Sequence, residues 1–458
     1  LAPHYSWLTY ADVLARSTSL GSGLAKLGVR LGESVGFFSK NSVEYFVARE
    51  ACSQYGFVSV PLYDTLGPDA VSHIVGEADV TVVLTVSDKL VELLDQVAGK
   101  RVRHVVLMDN NERGAVAVPV LRQANAVGVQ VLDMAAVEAL GGAGTLIPPD
   151  RTPQPADILM ICYTSGSTSV PKGVIITHCN MLATLASLIY LQKQRGTYAT
   201  SPADTALSYL PLAHLMEQGL SWLLLCTGGR IGLYSGDVAR VLEDLAILQP
   251  TVFTAVPRIL NRLHDRVWAT VRAKGGLALR MFEHAYDTKK AALHTTGATT
   301  HWLWDRLVFK TIRSLLGGNI RFLLSGSAPL SLEVLDFLRI ASGAEVVSEG
   351  YGMTETTCSA SVSSTDDVEA GHVGPPIPGL QIKLVDIPEM SYFSSDAPHP
   401  RGEICIKGAS IFAGYHKQPE KTAEALDRDG WLHTGDVGLW DERGRLRIID
   451  RVKNLVKL

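Results

Sequence analysis

A run of hydroxyl-bearing residues, glycines and one lysine, YTSGSTSVPKG, extends from Tyr163 to Gly173. Backbone N–H groups, short O–H donors and the Lys172 cation can together contact a phosphate chain, and glycine lets the backbone approach it closely. In the Walker A loop, G-x-x-x-x-G-K-[ST], a helix follows the lysine. Here Pro171 precedes the lysine, and residues 157–162 and 174–177 predict a strand on each side. The run therefore predicts a phosphate loop of another kind; taken alone, a solvated linker is the alternative.

A second motif, EGYGMTET, begins at Glu349. Glycines on both sides of Tyr351 allow tight turns beside a planar ring on which a base can stack. Thr354 can donate a hydroxyl to a phosphate oxygen, and Glu355 offers the hard oxygen that Mg²⁺ prefers. A strand end followed by a turn is the alternative interpretation.

Two further segments contain small or titratable groups in apolar surroundings. FLLSGSAPL, which begins at Phe322, predicts a strand and a small-residue turn against which a flat ring can lie. The start of a helix with Pro329 near its beginning is the alternative. His214 lies in the apolar segment SYLPLAHLME, where a lone histidine is more often a core residue.

The last candidate groups are acidic and basic residues near residue 440. Asp436 lies between glycines in GWLHTGDVG, which predicts a turn whose carboxylate can accept ribose hydroxyls. Asp450 and Arg451 follow a predicted strand at residues 446–449 and, without other context, would be a surface ion pair of little energetic value.

Composition narrows the class of protein. The chain has 458 residues, which is too long for one compact core and indicates two or three domains or subdomains. Its net charge of −4 gives no support to nucleic-acid binding. The six cysteines are scattered without a C-x-x-C pair, so buried reduced thiols are expected and not a disulfide or zinc framework.

Strand-like and helix-like segments alternate in the first third of the chain. Strands are predicted at residues 34–38, 57–61, 81–85 and 104–108, with helices at 44–54, capped by Asn41 or Ser42, and at 88–98. This alternation predicts parallel sheets covered by helices. Short β-rich runs from Gly371 onward predict a smaller strand-rich subdomain.

These motifs, in this order, resemble those of the adenylate-forming superfamily of acyl-CoA synthetases, luciferases and nonribosomal adenylation domains. The phosphate loop departs from the family only at Ser169, where glycine is usual. The resemblance implies an α/β fold, the large N-terminal domain of these enzymes, with helix-covered, mostly parallel sheets and a smaller β-rich subdomain. It implies an AMP-binding domain at 1–450, with subdomains at about 1–155, 156–365 and 366–450, and a hinge stub at 451–458.

The resemblance also implies a role for each matching residue. The implied catalytic residues are Lys172, His214, Thr354 and Glu355. Among them, His214 would position the reactants and Glu355 would be the Mg²⁺ ligand. Lys453 would be the hinge residue. The implied ATP- and AMP-binding residues are Thr164, Ser165, Gly166, Ser167, Thr168, Lys172, Gly326, Ser327, Ala328, Glu349, Gly350, Tyr351, Gly352, Thr354, Asp436 and Arg451.

Segments between the motifs, such as PTVFTAVPRILNR from Pro250, are similar to eukaryotic-type long-chain fatty acyl-CoA synthetases. The resemblance therefore implies an acid–thiol ligase that converts a long-chain fatty acid, ATP and CoA to acyl-CoA with Mg²⁺. An acyl-acyl carrier protein synthetase or a fatty acyl-AMP ligase is the alternative within the superfamily. A nucleotide- or lipid-binding module without turnover is the alternative outside it.

The ends of the chain and one amphipathic segment lead to further expectations. The chain starts at Leu1 and ends where the family's C-terminal domain begins, so we expect a missing N-terminus and little activity from this piece alone. Basic residues among apolar ones at 260–280 allow peripheral contact with a membrane, with a solvated helix face as the alternative. The resemblance is compatible with an intracellular, cytosol-facing membrane surface or an organelle.

Overall fold

Three β-sheets organise the chain in the computed structural model, which describes residues 4–63, 66–67, 69–109, 116–164, 170–195, 199–364 and 367–455. The first sheet has seven strands in the order β5-β4-β3-β1-β2-β6-β7. All neighbours are parallel except β6 and β7. Its strands are β1 Ser34–Phe38, β2 Val58–Pro61, β3 Val82–Thr85, β4 His104–Leu107, β5 Gln130–Asp133, β6 Ile158–Thr164 and β7 Lys172–Thr177.

Helices cover this sheet because its strands are apolar on both faces; β1, β2 and β3 are buried throughout. The helices are α1 Tyr10–Lys26, α2 Val43–Tyr55, α3 Ala70–Glu77, α4 Leu90–Val97, α5 Val118–Ala126 and α6 Met134–Gly142. The Ser42 side chain caps α2 by accepting from Tyr45 N, and Gly56 ends α2 in the left-handed conformation. The predicted alternation and the Ser42 cap are confirmed.

The second sheet has six strands in the order β13-β12-β11-β10-β8-β9, parallel except for the β12–β13 pair. These strands are β8 Thr205–Ser208, β9 Arg230–Leu233, β10 Val252–Ala255, β11 Phe322–Ser325, β12 Val346–Tyr351 and β13 Ser361–Val362. The helices of this region are α7 His178–Arg195, α8 Leu215–Cys226, α9 Val241–Leu248, α10 Pro257–Lys274, α11 Gly276–Thr296, α12 Lys310–Leu315 and α13 Leu332–Ala341. Pro329 precedes α13, whose cap is Ser331, so the alternative that placed Pro329 inside this helix is wrong.

The third sheet is a four-stranded antiparallel meander, β14-β15-β16-β17. It comprises β14 Leu380–Val385, β15 Arg401–Gly408, β16 Leu432–Trp440 and β17 Leu446–Arg451, with helices α14 Pro419–Ala425 and α15 Val452–Leu455. It is the predicted β-rich part. The predicted boundary at residue 155 does not coincide with a sheet boundary, because β6 and β7 complete the first sheet.

The cysteines that the sequence singled out have defined environments in this fold. All six cysteines are free, and Cys52, Cys162 and Cys405 are buried, but Cys179 and Cys226 are exposed. The expectation of buried thiols is therefore wrong for those two. In the part of the chain that is described, no helix combines the length and the apolar character that crossing a bilayer requires.

Candidate active site

A cavity of about 440 Å³ lies between the second sheet and helices α7 and α8. Its apolar wall includes Leu188 and Leu191 of α7 and Leu220 and Leu223 of α8. The segment 350–354, which is the complete GYGMT motif, also lines it. Aliphatic side chains and the predicted adenine turn therefore border the same space.

The phosphate loop is the connection of a β-hairpin. Thr164 is the last residue of β6, Lys172 is the first residue of β7, and the two are directly paired. A strand and not a helix follows the lysine, as predicted, so the loop differs from a Walker A loop. Five residues of this loop lie outside the described part of the chain: Ser165, Gly166, Ser167, Thr168 and Ser169.

Lys172 is half-buried, and its ammonium lies 4.9 Å from the centre of the Tyr415 ring. Burial lowers the pKa of Lys172, and the positive charges of Lys421 and Lys453 lower it further, whereas Glu355 acts in the opposite direction. Several cations near one half-buried ammonium favour a polyanionic ligand, because its phosphates would relieve their mutual repulsion. Lys453, the predicted hinge residue, lies on α15 and belongs to this cationic environment.

Thr354 and Glu355 lie in a short 3₁₀ turn that begins two residues after Gly352, the end of the predicted adenine site. Glu355 is only 8% exposed, and its Oε1 accepts a hydrogen bond of 2.7 Å from the Tyr415 hydroxyl. Within the described chain, no protein donor contacts its second oxygen. A carboxylate oxygen without a protein donor, in the electrostatic environment of the Lys172 ammonium, fits a site that could hold Mg²⁺.

The glycine at position 352 cannot be replaced without a backbone shift. A Cβ at Gly352 would lie 2.1 Å from the carbonyl oxygen of Cys358, whereas one at Gly350 would have its nearest neighbour at 3.6 Å. Thr357 and Cys358, directly after the turn, have positive φ angles of 50° and 85°. The turn is therefore packed tightly against a strained segment, an arrangement that often accompanies a binding site.

Gly326 and Ser327 line the cavity at the end of β11, and Ser327 has a positive φ of 74°. Glu349 is not in the described part of the cavity wall, nor is Ala328. Instead, the buried carboxylate of Glu349 accepts a hydrogen bond of 3.0 Å from Leu330 N, and burial raises its pKa. Glu349 thus anchors the 326–330 turn to β12, a contact that the sequence did not reveal.

Tyr351, Asp436 and Arg451 form a chain of polar contacts that leads away from the cavity. The Tyr351 hydroxyl donates to Asp436 Oδ2 at 2.7 Å, and Arg451 Nε lies 3.2 Å from Asp436 Oδ1. Asp436 lies within β16 and is paired directly with Arg451 of β17, so the predicted turn at Asp436 is wrong. Sheet pairing prevails over the flanking glycines, and Gly435 adopts a φ of 69° where the pairing of β15 with β16 is irregular.

His214 stands at the cap position of α8, and its ring lines the cavity 4.9 Å from the Tyr63 ring. The residue is exposed, yet partial burial of its imidazole lowers its pKa. His214 is therefore neutral at pH 7. A neutral ring beside the cavity agrees with a positioning role and not with a permanent positive charge.

Two site-adjacent residues were not predicted. Glu217, one turn into α8, is 2% exposed, and burial raises the pKa of its carboxyl group to about 8. Tyr415 contacts both Lys172 and Glu355. The helical spacing of Glu217 after His214 could have indicated it, but nothing local indicates Tyr415.

A group of polar side chains supports the strand that carries Asp436. Glu403 Oε1 accepts from Gly435 N at 3.0 Å, and Glu403 Oε2 lies 2.9 Å from His433 Nδ1. Cys405 Sγ lies 3.4 Å from the same imidazole nitrogen. The atoms of Glu403, Cys405 and His433 that could act as metal ligands all lie within 4.8 Å of one another. Burial raises the pKa of Cys405 to about 12, so this thiol is not a reactive nucleophile.

The chain is similar over nearly its whole length to known proteins. The chain is 45% identical over 457 residues to the peroxisomal long chain acyl-CoA synthetase 6 of Arabidopsis thaliana, covering 99% of this chain and 63% of the relative. It is 40% identical over 460 residues to long-chain-fatty-acid–CoA ligase 1 of Homo sapiens, covering 99% of this chain and 64% of the relative. The chain thus spans less than two thirds of the length of these relatives.

Solved structures share the fold. The adenylation domain of a carboxylate reductase from Mycobacterium chelonae matches with a TM-score of 0.82 at 26% identity, over 99% of this chain and 66% of that one. The A domain of a carboxylic acid reductase from Segniliparus rugosus, solved with AMP and a co-purified carboxylic acid, matches with a TM-score of 0.78 at 26% identity, over 99% and 68%. The family model of the AMP-binding enzymes matches residues 2–416, and the chain therefore belongs to the AMP-binding enzyme family.

Proposed function

We propose that the protein containing this chain activates a long-chain fatty acid with ATP and Mg²⁺ and transfers the acyl group to CoA. The observation that carries the proposal is the shared cavity, which is lined both by aliphatic side chains of α7 and α8 and by the GYGMT turn. Each buried methylene contributes about 0.8 kcal/mol, so such a wall selects long aliphatic chains without polar contacts. The names of the relatives, long chain acyl-CoA synthetase and long-chain-fatty-acid–CoA ligase, support the substrate class.

The first step joins two anions. A fatty carboxylate oxygen attacks the α-phosphorus, the new C–O–P linkage forms, and the bond to the β-phosphate breaks to release pyrophosphate. Two like charges at 4 Å repel by about 4 kcal/mol at an effective dielectric of 20, so cations must offset this repulsion. Lys172 would contact the phosphates, Thr354 would donate to one of them, and a Mg²⁺ ion held by Glu355 would neutralise phosphate charge. Asp436 and Arg451 would hold the ribose.

The second step exchanges AMP for a thiol. The CoA thiol loses its proton to water, its sulfur attacks the acyl carbonyl, the acyl–O bond breaks, and AMP leaves with the electron pair. His214 acts in both steps by positioning the acyl carbonyl. No general base is needed in the first step, because a carboxylic acid is already ionised at neutral pH.

ATP–pyrophosphate exchange with fatty acids of increasing length, in the full-length protein, tests the proposal. We expect Lys172→Ala and Glu355→Gln to lower palmitate-dependent exchange by roughly tenfold or more, because each removes a group that stabilises developing charge. Lys310→Ala and Glu389→Gln, exposed residues of the same types, serve as matched controls. Exchange at the wild-type rate in both site variants would contradict the assignment.

The acceptor is tested separately. Product formation with CoA and not with acyl carrier protein supports the ligase; the reverse, or release of acyl-AMP alone, supports the alternative members of the superfamily. Binding of ATP in calorimetry without any exchange would support a binding module.

We further propose the division into subdomains at about 1–155, 156–365 and 366–450 and a hinge at Lys453. Support comes from the position of Lys453, two residues after Arg451 at the end of the last strand.

Peripheral contact with a membrane is proposed for the junction of α10 and α11. There, Leu277 is 82% exposed beside the basic side chains of Arg272, Lys274 and Arg280. Flotation with anionic vesicles, compared with Leu277→Glu, tests this contact.

A further inference from the structure

The segment 412–416 connects two motifs that lie far apart in sequence. Ile175 N donates to Gly414 O and Ala413 N donates to Ile175 O, both at 3.0 Å, and His416 N donates to Gly173 O at 2.7 Å. At its other end, Phe412 N donates to Glu355 O at 2.9 Å. The segment therefore fixes β7, which begins with Lys172, relative to the turn that carries Glu355.

Tyr415 is the side chain at the centre of this connection. Its hydroxyl donates to Glu355 Oε1 at 2.7 Å, and the Lys172 ammonium lies 4.9 Å from the centre of its ring. Its own backbone N–H donates to Thr422 Oγ1 at 2.9 Å, and its ring packs against Phe412 with centroids 4.9 Å apart. One ring thus contacts the cation and the carboxylate that the proposed function assigns to phosphate and metal.

Without an intervening group, Lys172 and Glu355 would be expected to attract each other. Two opposite charges in a partly buried site form an ion pair, which would occupy the carboxylate and reduce the charge available to a phosphate. In the described residues, the lysine contacts the ring face and the carboxylate accepts the phenol, and no direct ion pair joins the two. A cation on an aromatic face retains its full charge.

From this arrangement we infer that Tyr415 is a positioning residue that keeps Lys172 and Glu355 apart and orients Glu355 with one oxygen free for Mg²⁺. The inference rests on the proposed function for the roles of these two groups. The hydroxyl acts on the metal ligand, and the ring face acts on the lysine. The two contributions are therefore separable by substitution.

Tyr415→Phe removes the hydroxyl and keeps the ring, and Tyr415→Leu removes both. Calorimetric titration of the full-length protein with ATP at a series of Mg²⁺ concentrations measures the effect without turnover. We expect the Phe variant to need roughly tenfold more Mg²⁺ for half-maximal ATP affinity, as loss of a hydrogen bond to a charged group predicts. Its ATP affinity in the absence of Mg²⁺ should equal that of the wild type.

The Leu variant should show the same Mg²⁺ shift and, in addition, a roughly fivefold change in ATP affinity without Mg²⁺, because its lysine has lost the ring. Tyr392→Phe is the matched control, since the Tyr392 ring also carries a cation, Arg401, 4.4 Å from its centre. Combining Tyr415→Phe with Glu355→Gln should add no Mg²⁺ shift beyond that of Glu355→Gln. Thermal denaturation verifies that each variant is folded.

Identical Mg²⁺ curves for the wild type and a folded Phe variant would overturn the inference and leave the proposed function intact. Equal effects of the Phe and Leu variants on ATP affinity without Mg²⁺ would also overturn it, because the tyrosine would then act only through general packing. Failure of the wild type to bind ATP at any Mg²⁺ concentration would overturn the proposed function as well.

Discussion

Replacing Gly219 tests whether the apolar cavity determines acyl-chain length. Gly219 lies on α8 and lines the cavity, and a Cβ there would meet Cys358 Sγ at 3.5 Å, an ordinary contact. Leucine adds four carbon atoms at this point, so we expect it to displace about four methylenes of a bound chain. At about 0.8 kcal/mol per methylene, the displaced methylenes would cost about 3 kcal/mol of binding free energy. This loss corresponds to a decrease of roughly 200-fold in kcat/KM.

The assay is pyrophosphate exchange over saturated fatty acids from eight to twenty carbons, with kcat/KM determined for each. The longest fatty acid that Gly219→Leu activates efficiently should be about four carbons shorter than the longest one that the wild type activates efficiently. For shorter acids, kcat/KM should equal the wild-type value. Gly219→Ala adds one carbon and should shift the preference only about fourfold. An unchanged chain-length profile in folded Gly219→Leu would show that the acyl chain does not occupy this cavity.

Two stability predictions follow from buried groups of the same region. Glu217 ionises near pH 4.5 when unfolded but near pH 8 when folded, so the folded state retains the proton and stability falls as pH rises between these values. The Glu217→Gln variant cannot ionise at this position. Its free energy of unfolding, measured in urea, should therefore increase relative to that of the wild type by up to about 1.4 kcal/mol per pH unit across that window. Parallel pH profiles of the two proteins would contradict this. Gly352→Ala forces a contact with Cys358 O and should cost about 1–3 kcal/mol and weaken ATP binding, whereas Gly350→Ala has room. Equal stability of the two alanine variants would refute the packing argument.

Local sequence patterns predicted the strands and helix caps, but long-range contacts determine the geometry of the candidate site. The strand on each side of the phosphate loop followed from β-branched residues, and the α2 cap followed from Ser42. The conformation at Asp436 was predicted wrongly, because pairing with Arg451 is a property of the sheet and not of the flanking glycines.

The motifs predicted which residues share the cavity more closely than they predicted the contacts of each residue. Thr354, Tyr351 and His214 do line one cavity, yet Glu349 directs its carboxylate to Leu330 N. Tyr415 could not be found from the sequence, because its two partners, Lys172 and Glu355, are brought together only by the folded chain. A lone tyrosine carries no periodicity from which such a contact could be inferred.

The Met216 sulfur would lie 3.1 Å from a Cβ at Gly326, so helix α8 rests directly on the turn that follows β11. Under the proposed function, the helix that lines the acyl cavity and the turn on the nucleotide side are therefore in direct contact. Variants that test the proposed acyl site should therefore change the face around Gly219 and Leu223 and retain Met216, since displacing that thioether would also disturb the turn after β11.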